Sequence, residues 1–159
     1  MFYSNNIDRD VDDSYYMRLA IKQAKLAAEA NEVPVGAVII KNGQLVASAG
    51  NMRERQQDAT AHAELIAVRQ ACQELNTWRL SGCTLYVTLE PCPMCAGALV
   101  MSRLYRLVYG CADPRAGAVE SIFNVANHPA LNHRLKVTAG LHEEECQELL
   151  RAFFQKKRH

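Results

Sequence analysis

The sequence predicts an α/β protein in which a β-sheet lies between two layers of helices. Three observations support this class. Five short runs are rich in β-branched and aromatic residues, as strands are. Longer segments between them repeat apolar residues at helical spacing, and strands that alternate with helices form one sheet with helices on its faces. The chain of 159 residues also has the usual size of a single domain and contains no internal repeat.

The first third of the chain is expected to form a helix followed by a β-hairpin. Residues 12–31 repeat apolar side chains at helical spacing, and the polar residues 12–14 can cap this helix. The runs 33–40 and 44–50 have the composition of strands. An Asn-Gly pair at 42–43 tolerates the positive backbone angles of a tight turn, so these two strands should pair antiparallel.

The rest of the chain is expected to contain three further helices and three strands. A helix predicted at 62–75 begins at His62, and a helix predicted at 91–104 has Pro91 near its start, which is typical of a first helical turn. A histidine and a C-x-x-C pair therefore both lie at helix starts. The other elements are strands at 83–89, 106–110 and 135–140, and a last helix with an apolar stripe of Cys146, Leu149, Leu150, Phe153 and Phe154.

The composition is that of an ordinary globular protein, with 49% apolar and 22% charged residues. Residues 1–13 are polar and acidic and do not resemble an export signal, and no apolar run approaches the roughly 18 residues that a membrane helix needs. We therefore expect a flexible polar leader at 1–13, one domain at 14–159, and a cytoplasmic protein that does not enter a membrane. Because thiols stay reduced in the cytoplasm, the six cysteines favour metal binding over disulfides.

The net charge is only +1, but the charges are unevenly distributed. The segment 103–136 carries five cations and two acids, and the segment 151–159 carries four cations and no acid. Two interpretations stay open at this point. The cations can form a basic stripe that attracts RNA, or they can stabilise the negative pole of a helix end.

Four residues form a pattern from which a reaction can be inferred. Cys92 and Cys95 are three positions apart and would share one helix face, and His62 from another helix start can complete a zinc site. Three protein ligands leave one position for water, which zinc makes acidic enough to be a nucleophile near neutral pH. Glu64 lies two residues beyond His62 and points in a different direction, so it can carry the proton.

A closed structural zinc site is the alternative that the residues leave open. Such a site needs a fourth ligand, for which Cys83 and Cys111 are candidates. Both lie at the ends of apolar strands and are more typical of small buried residues, as are Cys72 and Cys146 on helical stripes. The residue pattern therefore favours the open site.

The chain resembles the bacterial tRNA-specific adenosine deaminases over residues 14–156. "HAE" at 62–64 and "TLEPCPMC" at 88–95 match the H-x-E…P-C-x-x-C signature of zinc nucleobase deaminases. The segments EVPVGAVI, RLSGCTLYVTLEPCPMCAGA, GCADPRAGA and LNHR extend the likeness. The resemblance implies a three-layer α/β/α cytidine deaminase-like fold with a central five-stranded mixed sheet. It also implies a homodimer with one Zn²⁺ per subunit that converts adenosine to inosine at the first anticodon position of a tRNA anticodon stem-loop, releasing ammonia.

The resemblance implies a role for each residue of the signature. His62, Cys92 and Cys95 would bind the zinc ion, and the activated water would attack C6 of an adenine flipped into the pocket. Glu64 would protonate N1 of the adenine and then the leaving amine. The backbone at Ala63 would help to orient the base.

Outside the signature, four residues are implied to contact the RNA. Asn51 would hold the nucleoside, although a turn residue at a strand end is the alternative. Asp113 would approach the target ribose, or it would only start a turn. Arg115 would supply a cation close by, and Phe154 would pack near the bound loop, with a core position as the alternative for Phe153 and Phe154.

Two other functions stay open on the sequence. A deaminase of free guanine, cytosine or a small nucleoside would share the zinc signature, and only the basic C-terminal tail and the loop at 113–118 favour RNA. A non-catalytic zinc module that binds RNA or a protein would have four zinc ligands and would not depend on Glu64.

Overall fold

The computed structural model describes residues 6–158, with side chains from residue 12 onwards. Within this range the helices and strands follow one another in the predicted α/β alternation. Their order is α1 (Asn6–Glu29), β1 (Gly36–Lys41), β2 (Gln44–Gly50), α2 (Arg53–Gln56), α3 (Ala63–Leu75), β3 (Cys83–Leu89), α4 (Pro93–Met101), β4 (Arg106–Cys111), β5 (Lys136–Ala139) and α5 (Glu143–Lys157).

The five strands form one mixed sheet in the order β2-β1-β3-β4-β5. Strand β1 pairs antiparallel with β2 and with β3, whereas β3, β4 and β5 run parallel. The predicted hairpin turn is confirmed, because Asn42 and Gly43 have φ angles of 50° and 74°. Leu89 and Cys111 are paired at the carboxyl ends of β3 and β4, so the segments that follow both strands leave the sheet at the same edge.

Helices cover both faces of the sheet, which confirms the three-layer α/β/α prediction. Successive residues of β1 face opposite layers, as the pleat of a strand requires. Ala37 and Ile39 belong to the core that includes residues of α3 and α4. Val38 and Ile40 belong to the second core, with residues of α1 and α5.

Helix α1 begins at Asn6, so the predicted cap at residues 12–14 is wrong. The helix continues through this polar stretch because tertiary contacts hold it there. Asp13 is 7% exposed and accepts hydrogen bonds from Tyr86 Oη at 2.6 Å and from both Arg106 Nη atoms at 2.8 Å. The helix therefore extends into the segment that we expected to be a polar leader, of which residues 1–5 lie outside the described residues.

Smaller differences concern single elements, and the helix predicted at 91–104 spans only Pro93–Met101. Strand β1 begins at Gly36 and not at residue 33, since Pro34 has no backbone N–H to add to a ladder. The four-residue helix α2 was not predicted, because it is too short to show a hydrophobic period. On α5, Phe153 is 9% exposed and Phe154 is 46% exposed, so the apolar stripe ends at Phe153.

In the described part of the chain, no helix combines the length and the apolar character that crossing a membrane requires.

Candidate active site

The predicted zinc ligands lie at the first residues of two helices that share one layer. His62 caps α3 with an extended backbone, and Cys92 caps α4, whose first residue is Pro93. Proline suits this position because its missing N–H would have had no partner there. Cys95 follows within the first turn of α4. Each helix start presents unpaired N–H groups and the positive end of the helix dipole, which favours thiolates.

The segment before α3 is held by a short hydrogen-bonded turn. Asp58 Oδ1 accepts hydrogen bonds from the backbone N of Thr60 at 2.8 Å and from its Oγ1 at 2.7 Å. The backbone of Ala61 accepts from Met52 N at 3.0 Å, which ties this turn to the segment after β2. These bonds fix the direction from which the His62 ring enters the site.

The three predicted ligand atoms are placed as zinc requires. His62 Nδ1 lies 3.7 Å from Cys92 Sγ and 3.5 Å from Cys95 Sγ, and all three atoms lie within 4.8 Å of one another. A tetrahedral zinc ion with its usual bond lengths would separate nitrogen and sulfur by about 3.6 Å. The donors present therefore fit a zinc ion, which the residues of the chain would hold by one nitrogen and two sulfurs.

No fourth side chain joins this group among the residues whose side chains are described. Cys83 and Cys111, the two candidates for a closed site, are buried in the sheet at 0% and 1% exposure. Cys111 Sγ donates to the Thr88 carbonyl at 3.5 Å. The arrangement is that of a three-ligand site and does not support the closed structural one.

The electrostatics of the cysteine pair suit a cation. The hydrogen bond from Cys95 lowers the pKa of Cys92 to about 4, and His62 adds to this effect against the opposing influence of burial. The same hydrogen bond and burial raise the pKa of Cys95. Zinc binds cysteine as the thiolate, so a metal ion that binds both sulfurs must displace any proton that they carry.

Glu64 is the buried acid of the site. It is 4% exposed, and burial raises the pKa of its carboxyl group. Its Oε1 atom has no hydrogen-bond partner, and it is the sole such buried side-chain oxygen or nitrogen in the described residues. Buried polar atoms are nearly always paired, and the exceptions commonly have a catalytic role. A carboxyl group with a raised pKa and a free acceptor atom is suited to proton transfer near neutral pH.

These groups line a cavity of about 170 Å³. Val33, Val35 and Leu89 form its apolar part. Six site residues predicted from the sequence also line this cavity: Asn51, His62, Ala63, Glu64, Cys92 and Asp113. A larger, open depression of about 710 Å³ lies beside β5 and contains none of these residues.

Arg115 and Phe154 do not line the cavity. Arg115 is exposed on the segment after β4, and Phe154 is 46% exposed on α5. Their predicted contacts with RNA stay predictions.

Asn51 and Asp113 contribute to turns as well as to the cavity. Asn51 Oδ1 accepts from Arg53 N at 3.0 Å. Asp113 Oδ1 accepts from Arg115 N at 3.0 Å and from Ala116 N at 3.2 Å. The turn interpretation and the pocket interpretation are therefore compatible at both positions.

Two buried carboxylates that the sequence analysis missed hold the segments on either side of the cavity. Glu32 and Glu90 are each 1% exposed. Glu32 binds the segment that follows Asn51, and Glu90 binds the segment that follows Asp113. Burial alone would raise the pKa of Glu90, but hydrogen bonds from the loop lower it to about 2. For Glu90, the sequence signal that could have indicated this role was an acidic residue directly after an apolar strand.

Comparisons with known proteins identify the family of the chain. Residues 11–158 match the family described as MafB19-like deaminase. A tRNA-specific adenosine deaminase of Bacillus subtilis (strain 168) is 50% identical over 146 residues, which make up 92% of this chain and 91% of that protein.

Solved structures extend the comparison. A structure from a study of A-to-I editing by tRNA:A34 deaminases at the wobble position of transfer RNA has 46% sequence identity and a TM-score of 0.82, covering 86% of this chain and 99% of that chain. A guanine deaminase from Nitrosomonas europaea has 26% identity and a TM-score of 0.74, covering 88% of this chain and 83% of that chain.

Proposed function

Because the chain matches the MafB19-like deaminase family and belongs with the tRNA-specific adenosine deaminases, we propose that it deaminates adenosine in tRNA. The reaction consumes water, converts adenosine at the wobble position to inosine and releases ammonia. The observation that carries this proposal is the unpartnered oxygen of buried Glu64 beside a three-donor zinc group.

The proposed mechanism assigns one task to each part of the site. His62, Cys92 and Cys95 would hold one zinc ion per subunit, and when bound this ion would supply the Lewis acid that makes water a nucleophile. Glu64 accepts one proton from the water molecule and delivers it to N1 of the adenine, then takes the second proton of the attacking oxygen and passes it to the leaving amino group. Its buried position keeps bulk water away from the transferred proton and keeps its pKa raised.

The remaining polar groups of the cavity orient the nucleoside. Asn51 and the backbone at Ala63 face the cavity and are proposed to hold the base and its sugar. Asp113 lies on another wall and is proposed to contact the ribose region. Arg115 and the exposed ring of Phe154 are proposed to contact the RNA outside the cavity, where a cation and an aromatic ring suit phosphates and unstacked bases.

Deamination of a free base is the second candidate, and the comparisons do not favour it. The guanine deaminase shares 26% of its aligned residues with this chain, whereas the tRNA-specific adenosine deaminase shares 50%. The zinc group and Glu64 would serve either substrate, so the distinction depends on which molecule reaches the cavity.

We also propose that the protein works in the cytoplasm as a homodimer. Met94 and Met101 are seven residues apart on α4 and therefore share one helix face, with exposures of 37% and 69%. Two exposed methionines on one helix face are suited to form part of a contact with a second subunit. Met101→Glu should shift the protein to monomers in light scattering, while Leu26→Glu, on α1, should leave the oligomeric state unchanged.

The proposed function is tested by offering the purified zinc-loaded protein two kinds of substrate. We expect inosine in a tRNA anticodon stem-loop that carries adenosine at the first anticodon position, with one ammonia released per inosine. The matched control is the same stem-loop with guanosine at that position. Ammonia from free guanine or cytosine, without inosine in the RNA, would contradict the proposal.

A further inference from the structure

Glu90 is the centre of a hydrogen-bond cluster that no catalytic step requires. It lies between the end of β3 and Cys92, and it is 1% exposed. Its carboxylate accepts backbone hydrogen bonds from Asp113 at 3.0 Å, Val119 at 3.1 Å, Glu120 at 2.9 Å and Ser121 at 3.0 Å. The Ser121 hydroxyl donates a fifth. All five donors belong to the segment 113–121, so one carboxylate fixes both ends of this segment.

Gly117 provides the space in which the Glu90 carboxylate lies. A Cβ atom on Gly117 would lie 2.4 Å from Cδ and Oε1 of Glu90 and 2.5 Å from Oε2, which is closer than such atoms can approach. Gly117 is therefore required for space, and the three atoms nearest to the added carbon all belong to Glu90. A further bond, from Ala118 N to the Pro91 carbonyl at 2.8 Å, holds the same part of the segment against the connection between β3 and α4.

The segment that Glu90 holds is a wall of the cavity. Asp113 and Ala116 line the cavity together with Glu64, at the start of α3, and Glu90 itself is among the lining residues. Both Glu90 oxygens are occupied by the five loop donors, so its carboxylate is not placed to exchange protons with a substrate. Because both oxygens already accept hydrogen bonds from the loop, we expect Glu90 to affect a reaction through the position of the segment.

We propose that Glu90 is a positioning residue for the bound nucleoside, which holds the 113–121 segment as a wall of the cavity, and that Gly117 is needed to admit its carboxylate. The nucleoside part of this inference rests on the proposed function. The hydrogen-bonded segment itself does not, so the two can be tested separately.

Glu90→Gln is the most conservative test of this role. The amide has nearly the same shape but only one acceptor oxygen, and its NH₂ group must face either the Asp113 N–H or the three N–H groups of residues 119–121. The segment should loosen while Glu64 and the zinc ligands, on α3 and α4, keep their places. We expect KM for the stem-loop to rise about tenfold or more, with kcat changed less than about threefold.

A merely structural role would act through the zinc ligands, because Glu90 lies two residues before Cys92. That role predicts a lower zinc content and a lower kcat with KM unchanged, and either result would overturn our proposal. Glu74→Gln is the matched control, since Glu74 is exposed on α3 and loses the same charge. Its KM, kcat and zinc content should equal those of the unchanged protein.

A double-mutant cycle tests whether Gly117 acts through Glu90. Where Glu90 is intact, Gly117→Ala should raise KM for the stem-loop about tenfold. It should raise KM less than about twofold in the Glu90→Ala background, where the clashing carboxylate is gone. Equal effects in both backgrounds would show that Gly117 acts independently, which overturns this part of the proposal.

Ser121→Ala keeps the carboxylate and removes one donor, so it should raise KM about threefold even if the Glu90 variants fail to fold. An unchanged KM in that variant would also overturn the proposal.

Amide hydrogen exchange separates this inference from the proposed function. In Glu90→Gln, exchange at residues 113–121 should be at least about tenfold faster than in the unchanged protein, with exchange in β1 unaltered. If the protein without substitutions made no inosine, the proposed function would be wrong. The exchange rates at residues 113–121 would still show whether Glu90 holds this segment in place. Unchanged exchange at 113–121 would overturn the inference even in an active enzyme.

Discussion

Replacing Glu32 with glutamine perturbs the second segment that borders the cavity. The Glu32 carboxylate accepts hydrogen bonds from Glu54 N at 2.9 Å, Arg55 N at 3.0 Å and Arg55 Nε at 3.2 Å. Arg55 Nη2 donates in turn to the Asn51 carbonyl at 3.2 Å. Through Arg55, Glu32 therefore links Asn51, which is proposed to hold the nucleoside, to the segment directly after α1.

The cost of this substitution follows from the three donors. Glutamine keeps one acceptor oxygen, so at least one partly buried N–H of Glu54 or Arg55 would face an NH₂ group. Leaving such a group unpaired, together with the loss of a charged acceptor, lowers the free energy of unfolding by about 2–3 kcal/mol. For a chain of this length, each kcal/mol lowers Tm by about 2–4 °C, so we expect a decrease of about 5–10 °C.

The difference between the two proteins should depend on pH. Burial alone would raise the pKa of Glu32, but the hydrogen bonds from Arg55 and Glu54 outweigh it and lower the pKa below the usual value of 4.5. A group with a lowered pKa in the folded state stabilises the protein fully above its pKa in the unfolded chain. This contribution is lost as the pH falls through the lowered pKa, so the stability difference should shrink below about pH 4.5.

Thermal and urea unfolding at several pH values measure these effects. Glu29→Gln is the matched control, because Glu29 is exposed near the same helix end and loses the same charge. Its Tm should change by less than about 1 °C. A Tm decrease below about 2 °C for Glu32→Gln at neutral pH, or a difference that grows on acidification, would refute the reasoning.

Two further predictions concern the zinc group and the helix packing. Cys92→Ser should reduce bound zinc at least about tenfold in elemental analysis, since a serine hydroxyl stays protonated at neutral pH; a full complement of zinc would contradict the assignment. Gly36→Ala should lower the free energy of unfolding in urea by about 3 kcal/mol, because its Cβ would lie 2.0 Å from the Ala20 carbonyl oxygen and 2.5 Å from Ala24 N. Gly97→Ala, where an added Cβ meets nothing within 4 Å, is the control, and equal effects of the two substitutions would contradict this packing.

Local patterns predicted most of the architecture, because each depends on residues close in sequence. The Asn42-Gly43 turn and the helix starts at His62 and Cys92 follow from turn and helix-start preferences that act over a few positions. The start of α1 could not be predicted in this way. Asp13 is held by Tyr86 and Arg106, which lie 73 and 93 residues further along the chain.

In the candidate site too, local motifs could be predicted from the sequence, whereas contacts between distant residues could not. The H-x-E and C-x-x-C motifs indicated the zinc donors, because their spacing and helix positions bring the side chains together. Glu90 gave little signal, since its importance depends on donors that lie 23–31 residues away. Arg115 and Phe154 project outside the cavity, and contacts with an RNA molecule leave no periodic pattern in the sequence.

Turnover of the Glu64→Gln protein measures the central claim most directly. Glutamine can fill the same buried space but cannot accept and return a proton, so zinc content and Tm should stay unchanged. Inosine formation in the stem-loop should fall at least about 100-fold, the usual contribution of a general acid and base. A zinc-loaded Glu64→Gln protein that forms inosine at the original rate would contradict the account.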